Sequence, residues 1–382
     1  MLNLAGREAG TTGTFLPPGQ GGSTASKPDD REALLEVRDL RLGFTREGVR
    51  EEVGLAVDGV GFSLEGGKTL CLVGESGCGK SVAALHLLRL LPSPPAKILG
   101  GTVRFKGQDL GALSETELNR IRGDRICMIF QDPMSSLNPV MRIGAQMGEG
   151  LRLHRGLSAR AAAREVEAVL ERVGMPDPAG VAREFPHRLS GGMRQRVMIG
   201  MAVLPGPDLI IADEATTALD AVTGKRILDL LRSLTESSGA SLLFITHDLG
   251  IVARIADDTA VMYAGRIVEY GPTGALLAKP VHPYTVGLLR SSPANLTRNS
   301  SPPRGSPARS GRSADIPFRE RRRRLAAIPG AVPGIWDRPA GCSFHPRCAY
   351  AVQRCSEEDP LLRDAGGTFS RCAAGAHSGD RP

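Results

Sequence analysis

Residues 74–81 read Gly74-Glu75-Ser76-Gly77-Cys78-Gly79-Lys80-Ser81, which fits the pattern GxxxxGK(S/T). In such a loop the backbone N–H groups converge on a phosphate chain, so glycine is favoured over residues with side chains. Lys80 supplies a mobile positive charge for the β- and γ-phosphates, and the Ser81 hydroxyl can bind Mg²⁺. The pattern therefore predicts a site for a nucleoside triphosphate and Mg²⁺.

The sequence on either side of this loop strengthens the prediction. Glycine accounts for 47 of 382 residues, so glycine pairs at this spacing occur about six times by chance. Here an apolar strand pattern at residues 69–73 precedes the loop and a helical pattern at 82–91 follows it. This context disfavours the alternative, a glycine-rich strand-to-helix turn with an ordinary surface lysine.

Two adjacent acids follow another apolar run, at residues 208–212. Asp213 is placed to hold Mg²⁺ through water, and Glu214 to orient or deprotonate the attacking water. The same pair could instead begin a helix with its charges in solvent. The phosphate loop upstream favours the catalytic interpretation.

Apolar runs alternate with amphipathic segments along most of the chain. Residues 208–212 and 241–245 are nearly all apolar, as in central strands that helices cover on both faces. Segments such as 158–173 and 222–237 supply helices, and strand signals disappear between about 132 and 190. The pattern predicts an α/β fold with a mainly parallel sheet and a helical insertion.

The net charge of +7 is confined to one stretch. Residues 290–324 hold ten Arg, no Lys and two acids, a local charge of +8. The remainder is close to −1, so the charge predicts no nucleic-acid partner. The sequence shows neither a signal-peptide pattern nor about 18 consecutive apolar residues, so we expect a cytoplasmic protein that meets a membrane through partners.

A second glycine motif decides among phosphate-loop families. Residues 189–196 read Leu189-Ser190-Gly191-Gly192-Met193-Arg194-Gln195-Arg196, which resembles the signature motif of ABC ATPases. Helix capping by Ser190 alone would leave the two glycines without a purpose. Other elements of that family occur in the family's order: Phe44, Phe130-Gln131-Asp132-Pro133, Ala218-Leu219-Asp220 and Ile245-Thr246-His247-Asp248.

The resemblance implies a role for each of these positions. Phe44 stacks on adenine, Gln131 reaches the Mg²⁺, the attacking water and the membrane partner, and His247 contacts the γ-phosphate. The implied catalytic residues are Glu214, His247, Gln131 and Lys80, and the implied Mg²⁺ ligands are Ser81, Gln131 and Asp213. The implied ATP-binding residues are Phe44, Gly74, Glu75, Ser76, Gly77, Cys78, Gly79, Lys80, Ser81, Gln131, Ser190, Gly191, Gly192, Asp213 and Asp220. Two such cassettes face head to tail, so the signature residues would contact the ATP of a partner.

The C-terminal part resembles the extension of oligopeptide/dipeptide permease ATPases. The matching stretches are His282-Pro283-Tyr284-Thr285, Ile328-Pro329-Gly330-Ala331-Val332-Pro333 and Gly341-Cys342-Ser343-Phe344-His345-Pro346-Arg347-Cys348. This implies an ATPase that energises import of di- or oligopeptides at the cytoplasmic face of the inner membrane. The implied partners are two transmembrane permease subunits, a second, paralogous ABC ATPase and, indirectly, an extracytoplasmic solute-binding protein. Relatives that carry nickel complexes, glutathione, sugars or opines keep the cargo open.

Four cysteines crowd the C-terminal end, at Cys342, Cys348, Cys355 and Cys372. Four thiolates suit tetrahedral zinc or an iron–sulfur cluster, and their spacing alone does not choose between these. The resemblance implies a [4Fe–4S] cluster, with zinc as the alternative. His345 and His377 are less favoured substitute ligands, and unligated cysteines are the remaining interpretation.

These observations predict a phosphate-loop ATPase of the ABC type with a helical signature subdomain and a small Cys-rich extension. The expected parts are a disordered tail (1–32), the ATPase domain (33–290), an Arg/Pro/Ser-rich linker (291–324) and the Cys-rich segment (325–377), with the helical subdomain at about 132–190. The rival is a soluble ABC ATPase acting on nucleic acid or ribosomes. One phosphate loop, one signature and no sustained heptads argue against it. A non-hydrolysing regulatory cassette would lack Glu214 or His247, and both are present.

Overall fold

The structure, a computed structural model, describes residues 33–46, 49–132, 136–216, 220–292 and 327–373. Several predicted features lie outside these residues: the N-terminal tail, nearly all of the linker, the last residues of the Cys-rich segment with His377, and Pro133, Ala218 and Leu219.

The apolar runs form strands. The strands among the described residues are β1 (Leu35–Arg46), β2 (Val49–Leu64), β3 (Thr69–Val73), β4 (Ala96–Phe105), β5 (Gln108–Asp109), β6 (Ile126–Ile129), β7 (Leu209–Asp213), β8 (Ser241–Thr246), β9 (Asp258–Tyr263), β10 (Arg266–Pro272), β11 (Arg363–Asp364) and β12 (Phe369–Ser370). One sheet has the order β11-β12-β10-β9-β3-β8-β7-β6, and its members from β9 to β6 are parallel. This confirms the predicted α/β fold.

The amphipathic segments form helices. Those described are α1 (Lys80–Leu87), α2 (Glu115–Asn119), α3 (Ile143–Arg155), α4 (Ala159–Arg172), α5 (Pro178–Arg183), α6 (Gly191–Val203), α7 (Ala221–Ser238), α8 (Leu249–Ile255), α9 (Thr273–Ala278), α10 (Pro283–Ser291) and α11 (Gln353–Glu357). Helices α3 to α6 pack on one another between β6 and β7, in the region where strand signals disappear. Among the described residues, no helix is both long enough and apolar enough to cross a membrane.

A second sheet, of order β2-β1-β4-β5, is antiparallel. The sequence shows strand patterns here but did not predict that they form a sheet of their own. Apolar and polar side chains are interspersed in β1, unlike in the parallel strands. Leu35, Val37 and Leu40 are buried, while Arg38 and Arg41 are exposed to solvent. A sheet with one solvated face is typical of antiparallel pairing.

The parallel strands are buried on both faces. In β8, Leu242 and Phe244 belong to a hydrophobic cluster shared with helices α3 to α6, whereas Leu243 and Ile245 belong to a cluster shared with α1 and the antiparallel sheet. These side chains are at most 1% exposed. The sheet is therefore the central layer, and its strand ends are fixed by packing on either side.

The carboxyl ends of the parallel strands lie at one edge of the sheet. In the registers of β8 with β3 and β7, Thr246 pairs with Val73 and Ile245 with Asp213. The phosphate loop, the acidic pair and His247 all follow directly from these ends. In open α/β sheets this edge is where ligands bind.

Two short strands of the Cys-rich segment extend the main sheet. Strand β12 pairs antiparallel with β10, with Tyr270 opposite Phe369 and Glu269 opposite Ser370, and β11 extends this edge. The sequence analysis did not predict this pairing, because two-residue strands carry no periodicity.

Candidate active site

The phosphate loop joins β3 to α1 and depends on its glycines. Gly79 has φ 101°, and a Cβ atom there would lie 2.4 Å from the Ala56 carbonyl oxygen. A Cβ at Gly74 would lie 2.2 Å from the Met262 carbonyl oxygen. Only glycine fits either position without a shift of the neighbouring backbone.

Lys80 begins α1 and points back into the loop. Its side chain is buried, and its Nζ donates hydrogen bonds to the carbonyl oxygens of Gly74 (2.8 Å) and Glu75 (2.9 Å). The partial positive charge of the helix N-terminus adds to that of the ammonium group. The loop thus combines the Lys80 cation with a helix N-terminus, a combination suited to phosphate.

Asp213 ends β7 beside Ser81. Its carboxylate is 5% exposed, and its Oδ1 atom has no hydrogen-bond partner within the described part of the chain. The Ser81 hydroxyl donates a hydrogen bond to this carboxylate. Burial raises the pKa of Asp213, while the Ser81 and Lys80 side chains oppose the rise. A buried carboxylate oxygen without a partner, next to a hydroxyl, suits Mg²⁺, which prefers oxygen ligands.

The three predicted catalytic residues that follow strands form one cluster around Glu214. The Gln131 Nε2 atom donates to Glu214 Oε2 at 3.0 Å, and His247 Nδ1 lies 3.5 Å from Glu214 Oε1. Glu214 is 8% exposed and has φ 47°, a left-handed conformation that is uncommon outside glycine. Its amide donates to the Ile245 carbonyl oxygen at 3.0 Å, which fixes this conformation.

The signature residues lie at the start of α6. Ser190 is exposed and caps the helix by accepting a hydrogen bond from the Met193 amide at 3.3 Å. Gly191 is exposed, and a Cβ at Gly192 would lie 3.4 Å from the Thr223 side chain. These two contacts lie at the start of α6 and between α6 and α7, and neither involves the phosphate loop.

Two other predicted positions lie apart from the Glu214 cluster. Asp220 caps α7, because its carboxylate accepts hydrogen bonds from the amides of Val222 (3.1 Å) and Thr223 (3.0 Å). These bonds lower the pKa of Asp220. Phe44 is half-buried in β1, opposite Gly54. Its stacking on adenine stays a prediction.

Two residues that the sequence analysis gave no role contact the phosphate loop. The Tyr284 hydroxyl accepts a hydrogen bond from the Glu75 amide at 2.8 Å, and Arg347 forms an ion pair with the Glu75 carboxylate. Both lie in the stretches that carry the permease resemblance. Their place in these stretches was the available sequence indication of a role. It does not indicate which residues either side chain contacts.

The four cysteines of the C-terminal segment are the predicted ligands of a metal or an iron–sulfur cluster. In the described ranges, no three His, Cys, Asp or Glu side chains converge as metal ligands. Cys342, Cys348 and Cys372 are half-buried, Cys355 is buried, and none of the four forms a disulfide. Burial, and secondarily the neighbouring thiols, raises the pKa of Cys342 and raises that of Cys348 to about 11. The His345 Nδ1 atom is 3.0 Å from the Cys342 carbonyl oxygen.

Two protein families match this sequence, one over the ATPase part and one over the C-terminal part. The ABC transporter family matches residues 57–217, and the family described as oligopeptide/dipeptide transporter, C-terminal region, matches residues 268–321 and 312–355. A peptide import ATP-binding protein, by its name, from Brucella ovis is 46% identical over 337 residues, which are 87% of this chain and 94% of the relative. A similarly named protein of Brucella abortus is 45% identical over 339 residues, which are 89% and 94% of the two chains.

Solved structures show the same fold. A dimeric ATP-binding cassette in a post-hydrolysis state with ADP and Pi has a TM-score of 0.56 and 26% identity, covering 63% of this chain and 98% of that one. CbiO1 of Clostridium perfringens, with a TM-score of 0.54 and 23% identity, covers 64% of this chain and 91% of its own and supports the fold alone. The chain therefore belongs to the ATPases of the ABC transporter family, in the branch that carries the oligopeptide/dipeptide transporter C-terminal region.

Proposed function

We propose that this ATPase powers the import of di- or oligopeptides through transmembrane permease subunits. The observation that carries the proposal is the Glu214 cluster, in which Gln131 and His247 flank a buried carboxylate next to the phosphate loop. The names of the Brucella relatives support peptides as the cargo. Uptake of labelled dipeptides and longer peptides by the assembled importer, compared with uptake of nickel complexes, tests the cargo class.

The geometry suggests how this site hydrolyses ATP. The loop amides and Lys80 hold the phosphates, and Ser81 and Asp213 would hold Mg²⁺. When bound, Mg²⁺ would neutralise charge on the β- and γ-phosphates. Glu214 orients and deprotonates the attacking water, and Gln131 keeps the Glu214 carboxylate in place through the 3.0 Å hydrogen bond. His247, whose side chain is half-exposed, would contact the γ-phosphate.

Two cassettes would close on ATP head to tail. The exposed Ser190 and Gly191 at the start of α6 would then contact ATP held by the phosphate loop of a sister ATPase subunit. Closure and reopening would switch the permease subunits between two states at the cytoplasmic face of the membrane. Co-purification of a tagged chain tests the pairing: recovery of a paralogous ATPase supports a heterodimer, and recovery of this chain alone supports a homodimer.

Glu214→Gln tests the catalytic assignment. A glutamine retains the size of the side chain but cannot accept a proton, so we expect ATP turnover to fall by about 100- to 10,000-fold. Binding of MgATP should change little, because Lys80, Ser81 and Asp213 remain. Glu236→Gln, at an exposed position of α7, is the matched control. Unchanged turnover in Glu214→Gln would remove Glu214 from this role.

We also propose that Cys342, Cys348, Cys355 and Cys372 bind a [4Fe–4S] cluster, with zinc as the alternative. The four cysteines of this segment support it, since thiolates are the ligands of both groups and none of the four forms a disulfide. Anaerobic purification followed by iron, sulfide and zinc analysis is the test. One equivalent of zinc without iron would exclude the cluster, and the absence of both metals would exclude either group.

A further inference from the structure

Glu75, the second residue of the phosphate loop, forms a bidentate salt bridge with Arg347 of the C-terminal segment. Arg347 Nη1 lies 2.6 Å from Glu75 Oε2, and Nη2 lies 3.1 Å from Glu75 Oε1. The two residues are 272 positions apart in the chain. Paired N–H groups of this kind fix the orientation of a carboxylate as well as its charge.

The guanidinium group of Arg347 is held in place from its own side. Its side chain is 6% exposed and lies over the Tyr263 ring, 5.7 Å from the ring centroid. Its Nε atom donates to the Pro329 carbonyl oxygen at 2.7 Å, and Nη2 donates to that of Gly330 at 3.3 Å. A fixed guanidinium loses little freedom on meeting Glu75, which makes the pair effective.

The backbone of Glu75 is held by the same region. Its amide donates to the Tyr284 hydroxyl, and the Tyr284 ring packs on Phe344 with centroids 5.4 Å apart. The amide and the carboxylate of one loop residue thus both contact side chains that lie in the C-terminal family match. Lys80 in turn donates to the Glu75 carbonyl oxygen.

Charge gives this arrangement a consequence for nucleotide binding. Glu75 places a carboxylate in a loop that would receive the negatively charged phosphates of ATP, and repulsion between like charges weakens binding. Arg347 cancels that charge and holds the carboxylate on the side of the loop that faces the C-terminal segment. A lysine in place of Arg347 would keep the positive charge but could not form the bidentate salt bridge.

We infer that Arg347 is a positioning residue for ATP binding, through which docking of the C-terminal segment sets the affinity of the phosphate loop for MgATP. The inference rests on the proposed binding of ATP by this loop. It extends the site beyond the residues of the ATPase domain and gives the C-terminal segment a part in the nucleotide step.

The test is a double-mutant cycle in the full-length chain, with the MgATP dissociation constant measured by titration for the wild type, Arg347→Gln, Glu75→Gln and the double variant. Arg347→Gln should weaken binding about tenfold, which corresponds to about 1.4 kcal/mol. In the Glu75→Gln background the same substitution should have less than a twofold effect, because no carboxylate is left to neutralise. Arg354→Gln, which affects an exposed pair with Glu358 in the same segment, is the matched control and should bind as the wild type does.

Emission of Trp336, the one tryptophan of the sequence, checks that the segment stays docked, since its indole lies against Gly54 of β2. Equal weakening in both Glu75 backgrounds, or unchanged binding in Arg347→Gln, overturns the inference. If Arg347→Gln does not fold, Arg347→Lys takes its place, with a smaller loss expected and the same two refuting outcomes. A wild-type chain that fails to bind MgATP would refute the proposed function instead.

Discussion

Replacing Phe344 by alanine removes the side chain that anchors the C-terminal segment to the ATPase core. Phe344 is 4% exposed. Its ring centroid lies 5.2 Å from that of Tyr263, 5.4 Å from that of Tyr284 and 5.8 Å from that of His282. Three aromatic neighbours from β9 and the start of α10 therefore surround one residue of the segment.

The expected loss follows from the buried area. A buried phenylalanine removes about 150 Å² or more of apolar surface from water, which at about 25 cal/mol per Å² amounts to about 4 kcal/mol. Truncations of buried phenylalanine in other proteins cost about 3–5 kcal/mol. Because Tyr263 and Tyr284 keep their other contacts, most of this loss should fall on docking of the segment rather than on the core.

Urea titration of the full-length chain separates these effects. Trp336 emission reports undocking of the segment, and far-UV circular dichroism reports unfolding of the core. We expect the Trp336 transition of Phe344→Ala to move to lower urea by the equivalent of about 4 kcal/mol. Val352→Ala, at a half-exposed position of the same segment, should stay within about 0.5 kcal/mol of the wild type. A shift below about 1 kcal/mol in Phe344→Ala would refute the anchoring role.

Two further predictions concern single residues of the core. Burial, and secondarily the positive charge of Arg371, lowers the pKa of His282 to about 3, and its Nδ1 accepts the Tyr284 amide at 3.1 Å. The unfolded chain therefore binds an extra proton between about pH 6.5 and 3, and folding stability should fall by about 1.4 kcal/mol per pH unit on acidification in that window. His282→Asn keeps a capping acceptor without titrating, so its stability should depend less steeply on pH between 7 and 5; equal slopes in denaturant titrations would contradict this. Gly79→Ala should weaken MgATP binding by about 100-fold or more, because its Cβ meets the Ala56 carbonyl oxygen at 2.4 Å, whereas Gly66→Ala, in open space, should bind normally; equal affinities would show that the loop tolerates a side chain.

The placement of the candidate catalytic residues could be predicted from the sequence because it depends on the order of strands and the residues that end or follow them. Asp213 and Glu214 directly follow a buried strand, and His247 follows the next strand along the sheet. In a parallel sheet, residues that follow neighbouring strands meet at one edge whatever the loop lengths. Convergence of Gln131 and His247 on Glu214 thus required only correct strand positions and the resemblance to ABC ATPases.

The contacts of the C-terminal segment could not be predicted in this way. Arg347 meets Glu75 across 272 residues, and no local pattern encodes so distant a partner. The pairing of β12 with β10 involves two residues of each strand, too few for a periodic signal. The Cys spacing suggested a metal site, but spacing fixes neither the direction of the thiols nor their approach.

Besides the packing of Phe344 and Trp336, the segment joins the core through a strand and through ion pairs. Strand β12 adds to the sheet, Arg338 bonds to Asp58 at 2.6 Å, and Arg347 bonds to Glu75.

Asp58 also accepts hydrogen bonds from Arg266, and the Arg266 and Arg338 cations lower the pKa of Asp58 against the effect of burial. The Asp58 amide donates a hydrogen bond to the Gly265 carbonyl oxygen. The Gly265 amide in turn donates to the carbonyl oxygen of Cys78 in the phosphate loop. A displacement of the segment would therefore reach the loop by two separate routes, one through Glu75 and one through Gly265. Substitutions that undock the segment should consequently impair ATP binding more than loss of the Arg347–Glu75 pair alone.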